Sequence, residues 1–520
     1  MTRLCVSIFA HESEQLRKDV ARAIEAGADV IELRVDEYDD IVDLMLLFEQ
    51  VDFPFIITRR PERQGGESDE TDGDRLLVLA AIRAEREETL WVDLEFDSER
   101  DADFEELLNE KSILSTHDFK GRPTTLGKTY VEMCKDKSPV VKLAWTARSI
   151  RDCVECFQLL DVRAKPTIAL CMGEAGQITR ILAKKFGAFL GFASLDDASV
   201  TAPGQLSIST LKNIYRWDKL KRSTKVFGVV GSPVSHSMSP AIHNAAFEQI
   251  DFDGVYVPML VNPGYESFKA FMESFIEFRA MDLSGLSITI PHKENALRYA
   301  IEKGWNIDEV ARQIGAVNTF ALDGEPRAFS SDYSAILDTI TAALSQSSAP
   351  TLSEAIRVAG RDDLRGMKVT VLGAGGTGRT AVAALSQCGA IVTVVNRTME
   401  RAQALASEFK NVVAIDPANL NEARCDILIN TTSVGMTPAS DASPVDEASM
   451  AIFENQPLVF DTIYNPIQTR LLREAKAAGC QTVSGIEMFV RQASLQFEAW
   501  TKSPAPVEVM RKVVESRLST

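Results

Sequence analysis

Pro139-Val140-Val141-Lys142-Leu143-Ala144 reads as a short buried strand, apolar and partly β-branched, with one cation inside it. Runs of the same kind flank it on both sides: 4–10, 29–35, 54–60, 90–96 and 113–117 before it, 167–172 and 188–193 after it. Counting 140–144 itself, that makes eight. Between them lie amphipathic patterns at helical spacing, such as 14–26 and 75–87. Near-continuous apolar strands belong in a parallel sheet covered on both faces. Eight of them alternating with helices in about 200 residues predict a (β/α)8 TIM barrel, with an open doubly wound sheet as the alternative.

Such a barrel carries its chemistry at the C-terminal ends of its strands. Those ends offer Glu32 and Arg34, Arg59 and Arg60, His117 and Lys142, with Arg180 opening the helix after strand 7 and Gln205 following strand 8. A lysine in an apolar strand is costly to keep charged, and desolvation together with nearby guanidinium groups favours its neutral amine. A neutral amine attacks a ketone to form a Schiff base. His117, on the neighbouring strand, is placed to remove the proton made acidic by that imine. The arginines suit a carboxylate and hydroxyl groups.

The second half turns on another stretch. Met367-Lys368-Val369-Thr370-Val371-Leu372 is a strand that runs into Gly373-Ala374-Gly375-Gly376-Thr377-Gly378 and then a helical pattern. Within a β-α-β unit this is a dinucleotide fingerprint, in which backbone and helix N-terminus receive a pyrophosphate. The next strand ends in Asn396-Arg397-Thr398, with Arg401 one turn on. Guanidinium groups without a strand-end carboxylate argue for NADP over NAD. On the substrate side, Lys293 follows a strand in Ser287-Ile288-Thr289-Ile290-Pro291-His292-Lys293, and Asp332 follows Ser330-Ser331. A lysine and an aspartate converging on one alcohol relay the proton that accompanies hydride transfer.

Two resemblances follow from these motifs. Glu32-Leu33-Arg34, Thr58-Arg59-Arg60 with Gly65-Gly66, Ser115 to Phe119, Val141-Lys142, Met172-Gly173 to Arg180, and Ala202-Pro203-Gly204-Gln205 resemble type I 3-dehydroquinate dehydratase. That resemblance implies Lys142 as the imine lysine and His117 as base and then acid. Arg180 would bind the substrate carboxylate, and Glu32, Arg34, Arg60 and Gln205 its other polar groups. The sequence departs at Gln64, where some members have a carboxylate. The second half resembles shikimate dehydrogenase in Ser237-Met238-Ser239-Pro240, Thr289 to Lys293, Gly315-Ala316-Val317-Asn318-Thr319, Ser331-Asp332, the glycine loop, Asn430 to Met436, Tyr464-Asn465-Pro466 and Gly485 to Gln492. It implies Lys293 and Asp332 in catalysis, and Ser237, Ser239, Thr289, Asn318, Tyr464 and Gln492 around shikimate. Gly373 to Gly378, Asn396, Arg397, Thr398, Arg401, Thr432 and Gly485 would sit at the cofactor. Here the departures are Ser287 for Asn, Ser330-Ser331 for Asn-Thr, and Ala335 for Gly.

Together the resemblances imply one chain with consecutive activities, 3-dehydroquinate to 3-dehydroshikimate to shikimate. A catabolic quinate/shikimate dehydrogenase fused to the dehydratase is the alternative. The expected division is a barrel at 1–222, a substrate domain at 225–340 completed by 486–520, and a Rossmann domain at 341–485. The polar, basic run 217–224 is the expected linker and 345–352 an internal break. Of 520 residues, 56 are basic and 74 acidic, a net charge of -18 that disfavours nucleic acid and anionic membranes as partners. No apolar run reaches the roughly 20 residues of a membrane span. Eight scattered cysteines fit reduced thiols in the cytoplasm. Cys153 and Cys156 share a helix face and lack a second pair, so no metal is expected. Oligomeric state stays open.

Overall fold

A computed structural model describes residues 2–84, 89–198, 202, 204–235, 237–345 and 364–518. Pro203, His236 and most of the expected internal break lie outside them. Two compact units are present, Met1–Pro240 with Asp253–Leu283, and Ala241–Phe252 with Ser284–Thr520.

All eight expected strands of the first half form: Arg3–Phe9 (β1), Val30–Arg34 (β2), Phe55–Thr58 (β3), Trp91–Glu95 (β4), Ser112–Asp118 (β5), Val140–Thr146 (β6), Thr167–Met172 (β7) and Leu190–Ser194 (β8). They pair in parallel in the order β7-β6-β5-β4-β3-β2-β1-β8. The Phe189 N–H donates to Thr167 O at 2.8 Å and joins the ends of this sheet into a barrel.

Side chains alternate along a strand, so residues two apart share a face. Cys5, Val30, Ile56, Ile113, Val140, Ile168 and Leu190 form one buried cluster with Trp91 packed on it, one residue per strand. They are the barrel's floor. Two residues further along each strand, the same parity gives Ser7, Glu32, Thr58, Asp93, Ser115, Lys142, Leu170 and Phe192. The apolar floor thus supports a largely polar layer. Lys142 belongs to this middle layer, not to a strand end: it is the third of seven residues in β6, whereas His117 is the sixth of seven in β5. β6 extends to Thr146, past the expected end, because Ala144 and Trp145 continue the buried pattern.

The expected linker is not a loose tether. Trp217 and Leu220 are buried, and a Cβ on Gly191 of β8 would lie 2.2 Å from the Trp217 ring. Lys185 Nζ donates to the carbonyls of Arg222 and Thr224, both at 2.8 Å. The large apolar ring in this polar run finds the barrel surface and carries its neighbours with it. Cys153 and Cys156 are buried on the helix Asp152–Asp161, and all eight cysteines are thiols, with no disulfide among them.

In the second unit, the strand Thr319–Ala321 pairs antiparallel with residues of Leu283–Ile288 and with Arg327–Phe329, and the latter pairs in parallel with Asn306–Ile307. The helix Gly485–Thr501 is fastened here: Trp500 Nε1 donates to Phe320 O at 2.9 Å. A second, all-parallel sheet runs in the order Val412–Ile415, Ile391–Val395, Lys368–Leu372, Ile427–Asn430, Leu458–Asp461, Thr482–Val483. Numbered along the chain, that is 3-2-1-4-5-6, the dinucleotide-binding order, with its switch point between Lys368–Leu372 and Ile427–Asn430. Among the described residues no helix is long and apolar enough to cross a membrane.

Candidate active sites

A cavity of about 130 Å³ opens above the barrel's middle layer. Its lining includes Glu32, Arg34, Arg60, His117, Lys142, Arg180 and Gln205. Seven of the eight residues singled out in the first half therefore line one cavity. Arg59 does not: it is buried outside it, paired with Glu70 at 2.5 Å and Asp39 at 2.8 Å.

Lys142 is 5% exposed, and its nearest charges are carboxylates rather than the expected guanidinium groups. Its Nζ lies 2.8 Å from Asp93 Oδ2, 3.4 Å from Glu32 Oε1 and 4.5 Å from the centroid of the Phe192 ring. Asp93 also pairs with Arg60 Nη2 at 3.0 Å and accepts from Ser115 Oγ at 2.5 Å. Burial pushes Asp93 up, but the charges of Arg60 and Lys142 outweigh it and hold the carboxyl well below its ordinary range. Glu32 is also lowered, with Lys142 and Arg34 outweighing burial, and it accepts from Ser7 Oγ at 2.5 Å and Thr58 Oγ1 at 3.0 Å. A third buried carboxylate, Glu95, joins Arg60 at 3.1 Å to Arg75 at 2.7 Å.

Asp93 and Glu95 are functional neighbours that sequence reasoning missed. The signal was present: both are carboxylates on the inward parity of β4, alternating with Val92 and Leu94. The argument that singled out Lys142 in an apolar strand applies to them equally.

Above this layer, Arg60 Nη1 approaches His117 Nδ1 at 3.4 Å. A guanidinium has donors only, so the contact favours an unprotonated Nδ1. Burial, then the charges of Arg60 and Lys142, push the imidazole well below its ordinary 6.5 against the pull of Asp93. Arg34 is held by Asp36 at 2.5 Å over the Phe9 ring. Arg180 differs from these arginines. It is 3% exposed, its Nε has no hydrogen-bond partner, and no carboxylate among the described residues pairs with it. Burial lowers its pKa to about 10. A desolvated guanidinium without a counter-charge is unfavourable by itself and suits an arriving anion.

In the second unit, Lys293 begins the helix Lys293–Glu302 and Asp332 lies in the first turn of Ser331–Ser345. Their side chains meet at 2.6 Å and are partly shielded, 19% and 9% exposed. Asn318 is tied to the start of the same helix, its Oδ1 accepting from the Ser331 N–H at 2.8 Å and its Nδ2 donating to Ser331 Oγ at 2.9 Å. Thr289 is half-buried one turn before Lys293. Ser287 donates to Gln496 Oε1 at 2.7 Å, and Gln496 Nε2 donates to Thr319 Oγ1 at 3.1 Å, so this departure is absorbed in a buried hydrogen-bond network. Ala335 is fully buried in an apolar cluster with Ile336 and Val369. Tyr464 stacks on Phe489 at 4.5 Å, and Gln492 Nε2 donates to Phe489 O at 3.0 Å. Ser237 and Ser239 lie in the first unit, where Ser237 Oγ accepts from the Ser239 N–H at 3.3 Å.

At the switch point, Gly373 has φ +108, and a Cβ on Gly378 would lie 2.3 Å from Gly373 O, so strand and helix meet without side chains between them. Gly375 caps the helix Gly376–Gln387, and a Cβ on Gly375 or Gly376 would meet nothing within 4 Å. That surface is open to a ligand, beside free helix N–H groups. Asn396 Oδ1 accepts from the Ala374 N–H at 3.2 Å and steadies the loop. Thr398 caps the next helix, and Thr432 Oγ1 donates to Asn430 Oδ1 at 2.7 Å on the opposite lip. Arg397 and Arg401 are exposed, and neither forms an ion pair among the described residues. These groups fit a dinucleotide carrying an additional phosphate. Gly485 packs against the carbonyls of Thr462 and Ile463, where a Cβ would lie 2.4 Å from either oxygen.

Residues 4–222 match the type I 3-dehydroquinase family. Residues 229–320 match the shikimate dehydrogenase substrate binding domain, 354–470 the shikimate/quinate 5-dehydrogenase family, and 485–515 the shikimate 5'-dehydrogenase C-terminal domain. A bifunctional 3-dehydroquinate dehydratase/shikimate dehydrogenase of Arabidopsis thaliana, described as chloroplastic, is 35% identical over 527 residues, covering 98% of this chain and 84% of its own. A shikimate dehydrogenase (NADP(+)) of Methanosarcina acetivorans is 39% identical over 303 residues, 56% of this chain and 97% of its own. The solved dehydroquinate dehydratase and shikimate dehydrogenase from S. pombe is 24% identical with a TM-score of 0.43, covering 99% of this chain and 98% of its own. With both halves matched, and one relative matched across nearly the whole length, the chain belongs to the family of bifunctional 3-dehydroquinate dehydratase/shikimate dehydrogenases.

Proposed function

We propose that the chain converts 3-dehydroquinate to 3-dehydroshikimate in its barrel and reduces that product to shikimate with NADPH in its second half. The observation that carries the reading is the convergence on one cavity of Lys142, His117 and Arg180, which pairs with no carboxylate among the described residues.

Arg180 receives the substrate carboxylate. Lys142 Nζ gives up its ammonium proton and adds to the C3 carbonyl carbon; the oxygen takes up that proton and a second from nitrogen and leaves as water, giving a protonated imine. The imine draws electrons from the adjacent C–H bond, and His117 takes that proton. The electron pair forms an enamine and then expels the C1 hydroxyl, which leaves as water with the proton His117 returns. Hydrolysis of the imine frees 3-dehydroshikimate and Lys142. Asp93 and Glu32 hold Nζ beneath the ketone, while Glu32, Arg34, Arg60 and Gln205 bind the remaining polar groups.

NADPH, when bound, supplies the hydride for the second reaction. Lys293 gives a proton to the substrate oxygen that becomes the hydroxyl, and Asp332 orients its Nζ. Thr289, Asn318, Tyr464 and Gln492 of the second unit bind the polyol, and the resemblance to shikimate dehydrogenase assigns Ser237 and Ser239 to it as well. The glycine loop, Asn396, Thr398, Thr432 and Gly485 hold the dinucleotide, and Arg397 with Arg401 receives its 2′-phosphate. In a catabolic quinate/shikimate dehydrogenase that used NAD, a carboxylate after the strand Ile391–Val395 would bind the ribose, and Asn396 stands there instead. In domain terms, we assign 1–222 to the dehydratase, 225–340 with 486–520 to the substrate domain and 341–485 to the Rossmann domain. Eight thiols without a disulfide support a cytoplasmic setting.

Incubated with 3-dehydroquinate and NADPH, the full chain yields shikimate with one NADPH oxidised per shikimate. Folded protein that forms none overturns the reading. The pH profile is a second check. His117 has its pKa depressed by folding, so the neutral base persists below pH 6.5. Dehydratase kcat/KM, measured from about pH 5 to 9, is expected to have its acid limb below 6.5. By linkage the same group leaves stability unchanged above 6.5, and stability is lost as pH falls from there through the folded pKa. An acid limb above 6.5 contradicts this environment for His117.

A further inference from the structure

Gln64 is a buried amide at the cavity rim, in the short turn Glu62–Gln64, and both ends of its side chain are used. Nε2 donates to Asp97 Oδ2 at 2.9 Å, and Oε1 accepts from the backbone N–H of His117 at 2.7 Å. An ionised carboxylate only accepts, so Asp97 decides which end of the amide faces it and leaves Oε1 for His117. The same turn supports the imidazole from the side. Gly65 lies so close to the Phe119 ring that a Cβ would be 2.0 Å away, and the Phe119 and His117 rings are nearly parallel, 17° apart with centroids at 6.4 Å. One turn thus anchors both the backbone of His117 and the ring beside it.

We propose that Gln64 and Asp97 are a matched pair of positioning residues that hold His117 at the end of β5, and that a carboxylate at position 64 conflicts with Asp97. The proposal rests on the reading of His117 as the dehydratase base. In Gln64→Glu, a carboxylate oxygen takes the place of Nε2 beside Asp97. Two carboxylates at that range do not both stay charged, and one holds a proton. While protonated, the introduced carboxyl reproduces the amide, its O–H donating to Asp97 and its carbonyl accepting from His117. Once ionised, it repels Asp97 and the turn shifts, moving His117. Asp97 is half-exposed and Arg63 Nε lies 3.4 Å from its Oδ2, so solvent and that guanidinium soften the repulsion without removing it.

The experiment uses the full chain as wild type, Gln64→Glu, Asp97→Asn and the double variant. It measures dehydratase kcat and KM against pH, with the dehydrogenase rate as the folding control. Gln64→Glu is expected to show a new alkaline limb, with kcat falling roughly tenfold or more as the introduced carboxyl ionises and KM for 3-dehydroquinate changing less than about twofold. Asp97→Asn keeps an acceptor for Gln64 but no longer excludes the flipped amide, so its kcat is expected to fall roughly two- to fivefold, alike at every pH and with no new limb. The double variant loses the new limb, because the introduced amide nitrogen can donate to the carboxylate at position 64. A Gln64→Glu enzyme as fast as wild type at every pH overturns the proposal, as does a limb that persists in the double variant. Borohydride trapping of the wild type tests the underlying reading separately. A wild type trapped at Lys142 with Gln64→Glu unaffected overturns the pairing alone, whereas an untrapped, inactive wild type overturns both.

Discussion

Lys142→Met abolishes dehydration of 3-dehydroquinate, by on the order of 10^4-fold or more in kcat/KM, while reduction of 3-dehydroshikimate by the same chain continues. Lys142 provides the only amine side chain among the described residues of the cavity lining, so no neighbour there can form the imine in its place. Its removal does not orphan the charges around it. Asp93 keeps Arg60 at 3.0 Å and Ser115 at 2.5 Å, and Glu32 keeps Ser7 and Thr58. The variant should therefore lose less than the roughly 3–5 kcal/mol that follows a truly uncompensated buried charge. Its acid sensitivity changes in a defined direction. Asp93 and Glu32 are both depressed by folding, so the stability they contribute is present above their ordinary 3.8 and 4.5 and is lost as pH falls through the folded values. Without Lys142 that depression is smaller, and the acid unfolding of the variant is less steep. Borohydride reduction in the presence of substrate, followed by peptide mapping, checks the chemistry. A label on any other lysine, or on the Lys142→Met protein, would falsify the imine assignment.

Lys293→Met and Asp332→Asn each lower dehydrogenase kcat by roughly 10^2- to 10^4-fold, the usual worth of a positioned proton donor. NADPH affinity is expected to stay within about twofold, because the glycine loop and Arg397 belong to other elements. The two groups meet at 2.6 Å, so they act as one device. The double variant should lose about as much as either single variant, not the product of the two losses. Stopped-flow NADPH oxidation with each variant, alongside nucleotide binding by fluorescence, separates these effects. Multiplicative losses in the double variant would show that Lys293 and Asp332 work independently. Dehydratase activity of the same proteins reports that the barrel is folded.

What is legible before folding follows from local regularity. Strand and helix have fixed periods, so the eight apolar runs predict the barrel, and the glycines between Leu372 and Arg379 predict the nucleotide loop. Reading the last residues of each expected strand already brings Glu32, Arg34, His117 and Lys142 together, although Glu32 and Lys142 sit in the middle layer. The two-residue repeat, applied to β4, also reaches Asp93 and Glu95, which a reading confined to strand ends passes over.

Other features have no local signature. Trp217 sits in a polar, basic run that reads as a tether, and only the surface of β8 shows where the ring is buried. Gln64 reads as a lost carboxylate, yet its amide is used at both ends because Asp97 and the β5 backbone happen to face it. Lys142 is expected among guanidinium groups and lies among carboxylates. Its partners are 49 and 110 positions away, Asp93 and Glu32. The sequence by itself determined which residues point into the barrel, since that depends on a two-residue repeat in the backbone. Tertiary structure alone decided which charges meet there, because pairing depends on inter-strand register and on barrel closure between segments far apart in the chain.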